Sequence, residues 1–246
     1  MRQTLRRWLL AGLVAGAIVP ALAQAFPWAW YRVGDDPVVL VEGTPRADSS
    51  DSQFLEYTVE TENYRISANV LGKYDPYLLW GVVATNLTAA PLAFTFGFST
   101  AIMPITTANE VIGSFSGSGT DTAADGLSVI PNQLDTDGDG LSEIATYWLN
   151  GTTNAGVDVG LPYSDGAGGR PHSHTLGPDE DVKSGPLGTW TSLESIVGFS
   201  LSGRDNATLN GFLSIEPVPE PRALLLLGSG LVAAALAGMR RRRTRT

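Results

Sequence analysis

The chain contains no cysteine and only two histidines among its 246 residues, and this scarcity excludes several kinds of scaffold and active site. Without cysteine there is no disulfide framework, thiol nucleophile or thiolate metal site. The G-x-S-x-G pattern of serine hydrolases is also absent. Carboxylates are abundant, but no pair of them lies in an apolar stretch that would suit acid–base hydrolysis. We therefore expect a protein that is not an enzyme and whose fold depends on its hydrophobic core.

Basic residues are scarce between the two ends of the chain. Three of the 16 basic residues lie in the first 25 positions, and six lie from Arg222 onward. The segment between them therefore contains seven basic residues and all 25 acidic ones, which gives it a net charge of about −18. Such a surface repels nucleic acid and anionic lipid. Divalent cations are better partners for it, and the charge also favours solubility.

The N-terminal segment has the three parts of a secretory signal peptide. A basic start with Arg2, Arg6 and Arg7 precedes an apolar run over residues 8–19, and Ala23-Gln24-Ala25 supplies small residues for cleavage. We predict a signal helix over residues 1–25, which directs the chain to the Sec translocon and is then removed.

The middle of the chain, residues 26–216, has the pattern of β-strands. Apolar and polar residues alternate along several segments, and Phe94, Phe96 and Phe98 recur at period two, so they are expected on one face of a sheet. Helical periodicity is nearly absent. The predicted strands are 53–62, 63–72, 78–86, 92–102, 144–149, 195–202 and 207–215. We expect an antiparallel β-sandwich of the jelly-roll or Ig-like kind, with a β-barrel as the alternative.

Two stretches rich in Gly, Ser, Thr and Asp are predicted to be long loops. They cover residues 113–126 and 150–188. Their composition offers little apolar surface to bury, so we expect both of them to be mobile.

The segment DTDGDGLSE, residues 135–143, resembles a calcium-binding loop of the kind found in EF-hands, dockerins and thrombospondin type 3 repeats. Asp135, Asp137 and Asp139 would supply alternate carboxylate ligands, Gly140 the sharp turn, and Leu141 a carbonyl ligand. Position 12 of the pattern is Thr146 instead of the usual glutamate, so Glu143 would have to substitute for it. The alternative is a plain acidic turn, because Asp-Gly pairs favour turns without any ion.

The two histidines, His172 and His174, are separated by one residue in the predicted loop 150–188. This spacing could begin a zinc or copper site with Asp179 or Asp181 nearby. No third soft ligand accompanies them, so solvated loop histidines are the simpler expectation.

The C-terminal segment has the pattern of a membrane anchor. Residues 223–239 carry no charge, and Arg240, Arg241, Arg242 and Arg243 follow within the basic end 240–246. Seventeen residues are the lower limit for a spanning helix. The arginines would remain on the cytoplasmic side and fix the orientation of the helix. We therefore predict a transmembrane helix over residues 223–239.

The end of the chain resembles the PEP-CTERM sorting signal of Gram-negative bacteria. The resemblance rests on Val218, Pro219, Glu220 and Pro221, followed by the apolar run and the arginine cluster, within residues 217–246. It implies recognition of the motif by an exosortase-type membrane protease, which would cleave nearby and release the domain from the inner membrane. It also implies a place at the cell surface or in the extracellular matrix, together with exopolysaccharide and biofilm.

These observations predict an exported, non-enzymatic surface or matrix protein that is anchored transiently by its C-terminus. The alternative is an adhesion module that binds calcium or a glycan through the acidic loop 135–143, with extracellular polysaccharide as a possible partner. A hydrolase of matrix polysaccharide is a third, less favoured reading.

Overall fold

The computed structural model describes residues 28–41, 46–47, 52–133, 135, 138–166 and 169–218. Over these residues the chain is all-β and forms fifteen strands. In chain order they are β1 (Trp28–Val33), β2 (Val39–Leu40), β3 (Arg46–Ala47), β4 (Ser52–Glu60), β5 (Tyr64–Lys73), β6 (Tyr77–Asn86), β7 (Leu92–Ile105), β8 (Asn109–Asp121), β9 (Ser128–Pro131), β10 (Ala145–Leu149), β11 (Thr153–Val159), β12 (Tyr163–Ser164), β13 (His172–Ser184), β14 (Trp190–Leu201) and β15 (Asn206–Pro217).

The strands form two antiparallel sheets. The eight-stranded sheet has the order β11-β10-β14-β7-β1-β2, with β9 and β12 attached beside β14. The seven-stranded sheet has the order β13-β8-β15-β6-β5-β4-β3. The first long strand, β1, and the last strand, β15, each pair with a strand on both sides. This two-sheet arrangement is consistent with the predicted sandwich.

One apolar core lies between the two sheets, and the predicted phenylalanine row belongs to it. Phe94, Phe96 and Phe98 are fully buried on β7, and their rings stack on each other at 6.4 and 6.3 Å. Phe98 also stacks on Trp80 of the opposite sheet, with 5.9 Å between ring centroids. The prediction that the three phenylalanines share a face is confirmed, and that face is the inner one.

The predicted loop 113–126 is wrong over most of its length. Residues 109–121 form β8, which pairs with β15 on one side and β13 on the other. Its glycines leave room for large side chains that pack against the strand. A Cβ placed on Gly113 would lie 2.4 Å from the Tyr147 ring, and one on Gly119 would lie 2.7 Å from Leu127. The small residues that resemble a loop are therefore places where side chains from other parts of the chain pack closely.

The predicted loop 150–188 is also wrong, because it contains β11, β12 and β13. Strand β13 lies at the edge of the seven-stranded sheet, and most of its side chains are exposed or half-buried. An edge strand can be polar and charged because one of its sides is in contact with water. Its composition therefore resembles a loop although its backbone is paired with β8.

The predicted helices at both ends lie outside the described residues. Within the described part of the chain, no helix combines the length and apolar character needed to cross a membrane. Residues 1–25 and 223–239 belong to the part that the structure does not describe.

Candidate functional site

The acidic loop leaves and re-enters the fold at one point on the edge of β14. The N–H of Gly198 donates to the carbonyl of Ile144 over 2.8 Å, and the N–H of Asn132 donates to the carbonyl of Gly198 over 3.1 Å. Strands β9 and β10 thus follow each other along the same edge of β14. The connection between them contains the predicted calcium ligands.

The described part of this loop is organised around Asp135. One oxygen of its carboxylate accepts the N–H of Gly138 over 2.7 Å, and the other accepts the N–H of Gly140 over 2.9 Å. Both glycines have positive φ, +84° and +92°, where a side chain would be strained. Asp139 likewise accepts the N–H of Leu141 over 2.7 Å. Local hydrogen bonds therefore determine the turn.

The predicted ligands of the loop lie in different environments. Asp135, Asp139 and Leu141 are exposed, whereas Glu143 is buried with 7% of its surface exposed. Asp137 lies outside the described residues. Glu143 directly precedes Ile144, where the chain rejoins the sheet edge, which accounts for its burial.

A second group of carboxylates lies at the end of the seven-stranded sheet and was not found from the sequence. It comprises Asp121, Asp125 and Asp205, each of which has an oxygen within 4.8 Å of the others. Asp121 and Asp205 are fully buried, and Asp125 is exposed. We call these three residues the aspartate cluster. Three carboxylate oxygens at this separation suit a hard divalent cation such as Ca²⁺.

Hydrogen bonds from the protein hold the two buried carboxylates of the aspartate cluster. Asp121 accepts the N–H groups of Ala124 over 2.6 Å and Gly126 over 3.1 Å. Asp205 accepts the N–H of Thr122 over 3.0 Å and the hydroxyl of Ser202. Burial raises the pKa of Asp205, and these two hydrogen bonds partly oppose the rise. The negative charges of Asp121 and Asp125 raise the same pKa further, because like charges disfavour ionisation.

A histidine–aspartate pair adjoins the aspartate cluster. The Nε2 of His172 lies 2.5 Å from Oδ2 of Asp165, and its Nδ1 lies 3.6 Å from Oδ2 of Asp121. The hydrogen bond to Asp165, and then the one to the Arg170 carbonyl, raises the pKa of His172. The N–H of Leu127, above all, lowers the pKa of Asp165. The pair therefore favours an imidazolium beside a carboxylate.

The second histidine packs against a ring. His174 stacks on Tyr163 with 3.5 Å between ring centroids, and the Tyr163 hydroxyl donates to Asp165 over 2.9 Å. Both histidines thus lie on strand β13 and are half-buried, and the expectation that they lie in a loop is wrong. Among the described residues, the aspartate cluster is the group whose geometry suits a metal. It does not include the residues of the predicted zinc or copper site, which are His172, His174, Asp179 and Asp181.

The described residues reach the first position of the predicted sorting motif. The N–H of Val218 donates to the carbonyl of Ala108 over 2.9 Å, directly after β15 ends at Pro217. Val218 is 44% exposed. Pro219, Glu220, Pro221 and the arginines Arg240, Arg241, Arg242 and Arg243 lie outside the described residues.

No protein-family model and no curated protein matches the chain. Among solved structures, a chain from the structure of infectious bursal disease virus, Gx strain, aligns at 10% identity with a TM-score of 0.18. The alignment covers 82% of this chain and 63% of the viral chain. At that TM-score the likeness carries no argument about fold or function.

Proposed function

We propose that this protein is an exported, non-enzymatic component of the cell surface or extracellular matrix, sorted through its C-terminal signal and associated with exopolysaccharide and biofilm. The observation that carries the proposal is the position of the motif. Strand β15 ends at Pro217 and Val218 makes the last hydrogen bond among the described residues, so the proposed recognition segment follows directly after the last described strand.

Cleavage at either end would leave the two sheets complete. Strand β1 begins at Trp28, three residues after the predicted signal cleavage site at Ala25, and it is held between β7 and β2. Strand β15 is held between β6 and β8. Processing outside these strands removes none of the strand partners that the structure describes. This supports a precursor whose ends serve for export and sorting.

The physical role of each part of the tail follows from its chemistry. The apolar run 223–239, as a transmembrane helix, would hold the precursor in the inner membrane, where an exosortase-type protease meets it in two dimensions. Pro219 and Pro221 lack N–H donors and would keep the segment extended, as a protease cleft requires. The arginines 240–243 resist transfer through hydrocarbon and fix the depth of the helix. Between this helix and the signal helix, we propose a sandwich of the jelly-roll or Ig-like kind.

The test is to express the full chain with and without a co-expressed exosortase and to separate membrane from released protein. We expect release only with the protease. Glu220→Ala should retain the protein in the membrane, because the variant removes the central side chain of the motif. Glu216→Ala is a matched control, since this exposed residue lies four positions earlier within β15. Release that is independent of the protease, or equal for both variants, would contradict the proposal.

Calcium binding by the acidic loop is the second candidate function. The favouring observation is that Asp135 already accepts N–H groups of both Gly138 and Gly140, so the turn that a calcium loop requires is formed. Such a site would be weak and extracellular in type, with affinity near millimolar. It would serve adhesion, and not the folding of the core.

Calorimetric titration of the full chain in detergent micelles with millimolar Ca²⁺ tests this candidate. We expect binding heat that Asp135→Ala abolishes and Asp125→Ala preserves. The opposite pattern would place the ion at the aspartate cluster and refute the loop as the site. Absence of heat together with an unchanged melting temperature would refute calcium binding at either place.

A further inference from the structure

The outer face of the seven-stranded sheet carries a groove of about 670 Å³. Strand register places Asn69, Gly81, Asn210 and Ser116 in one row across β5, β6, β15 and β8. The next row contains Leu79, Phe212, Ser114 and Glu180. We call the space above these two rows the amide groove. Its volume lies within the range of small-molecule and cofactor sites.

Two asparagine amides lie over a residue without a side chain. A Cβ placed on Gly81 would lie 3.1 Å from Oδ1 of Asn210 and 3.2 Å from Nδ2 of Asn69. Both asparagines are exposed, and neither amide makes a hydrogen bond to another described residue. Each amide can donate two hydrogen bonds and accept others. The groove therefore presents donors and acceptors that are free to meet a ligand.

An apolar wall lies beside the amides. Leu79 is 37% exposed on β6, and the half-buried ring of Phe212 lies 5.9 Å from the ring of Tyr77. An aromatic and aliphatic surface of this kind packs against C–H groups of a ligand and excludes water from them. A pyranose ring has the matching two-sided chemistry, with C–H groups on its faces and hydroxyls around its edge.

The charge of the groove selects against anionic ligands. Its charged lining residues are Asp179 and Glu180, and the whole chain has a net charge of −9. Phosphates, sulfates and uronates would be repelled, whereas hydroxyl groups can donate to the exposed carboxylate of Glu180; that of Asp179 already accepts the N–H of Gly160. Strands β5, β6, β15 and β8, which carry both asparagines and the apolar wall, each pair on both sides, so a peptide cannot add to them as another strand.

We propose that the amide groove binds a neutral polysaccharide chain, with Asn69 and Asn210 hydrogen-bonding its hydroxyls and Phe212 and Leu79 packing on its rings. This proposal adds a ligand class to the proposed function. It rests on the proposed function only in assuming that the protein is exported to a compartment that contains polysaccharide. The site is separate from the acidic loop 135–143.

Affinity electrophoresis of the full chain in detergent micelles tests the proposal. Native gels contain dextran, hydroxyethylcellulose or galactomannan as neutral polymers, or alginate as the anionic one. We expect retardation by at least one neutral polymer. Because a hydrogen bond contributes about 1 kcal/mol, each amide removed should weaken binding roughly fivefold, and Asn69→Ala with Asn210→Ala about 25-fold.

Asn206→Ala is the matched control, because it removes the same side chain from the same strand, β15, four residues from Asn210. It should bind as the wild type does. Both groove asparagines are exposed, so the variants should melt normally; the two single variants supply the same test if the double variant does not fold. No retardation by the three neutral polymers, retardation by alginate alone, or equal retardation of the double variant would overturn the proposal.

Polymer binding is measured on the purified protein, so the result does not depend on whether the protein is sorted. A chain that binds a neutral polymer but is never released by the protease refutes the sorting proposal alone. A chain that is released but binds none of the polymers refutes the groove alone.

Discussion

Replacing Gly113 with alanine should destabilise the protein, although the sequence around it resembles a mobile loop. The added Cβ would lie 2.4 Å from the Tyr147 ring and 2.6 Å from Val157 across the core. Overpacking of this kind costs about 1–3 kcal/mol. Displacing Tyr147 would also weaken the hydrogen bond from its hydroxyl to the Ser114 carbonyl, worth about 1 kcal/mol. Alanine also lowers the conformational entropy of the unfolded chain, which offsets about 0.4–1 kcal/mol of this loss of stability.

The expected net loss is therefore about 2 kcal/mol in the free energy of unfolding, measured by urea denaturation at constant slope. Gly166→Ala is the matched control, because nothing lies within 4 Å of its added Cβ and its φ is outside the left-handed region. It should change stability by less than about 0.5 kcal/mol. If Gly113→Ala were as stable as the control, the close packing of β8 against the eight-stranded sheet would be refuted.

Three further predictions concern other parts of the fold. Because the pKa of His172 is raised in the folded protein, its contribution to stability is complete below the unfolded pKa of about 6.5 and is lost as the pH rises through the folded pKa. The melting temperature should fall over this range, and Asp165→Asn should flatten the fall. Equal dependence of melting temperature on pH in the variant and the wild type would refute the pairing. Asn86 is buried, and the two hydrogens of its amide are shared among three carbonyl oxygens. Asn86→Asp should therefore lose at least ~3 kcal/mol in urea denaturation, and a loss below ~1 kcal/mol would contradict its role. Phe98→Ala should cost about 3–5 kcal/mol and Leu79→Ala less than ~1.5 kcal/mol by the same measurement, and similar losses would contradict the assignment of inner and outer faces.

The parts of the fold that local sequence determines were predictable. Phe94, Phe96 and Phe98 alternate with smaller residues, and this period alone places them on one face. The turn at Asp135 was predictable for a similar reason, because its carboxylate bonds to N–H groups only three and five residues away. In both cases the deciding contacts lie within one short segment.

Strands β8 and β13 could not be predicted because their stability comes from distant residues. Gly113 and Gly119 have no apolar side chain, yet they are covered by Tyr147 and Leu127 from other parts of the chain. Strand β13 is polar because it lies at a sheet edge, and its neighbour β8 was itself unrecognised. Composition therefore indicated loops where tertiary contacts form strands.

The aspartate cluster and the amide groove depend on register between distant strands. Asp205 precedes β15 and Asp121 ends β8, and the pairing of Asn206 with Thr120 brings them together. In the same way, Asn69 and Asn210 meet over Gly81 only because β5 and β15 pair on opposite sides of β6. Two asparagines 141 positions apart carry no joint signal in the sequence.

The intact mass of the protein isolated from cells that contain an exosortase tests the central claim most directly. We predict a mature chain that begins near residue 26 and ends close to Pro219–Pro221, directly after the last hydrogen bond that the described residues make, at Val218. Its mass would exclude residues 223–246. A mature protein whose mass still includes Arg240, Arg241, Arg242 and Arg243 would contradict sorting by cleavage and would indicate a permanent membrane anchor.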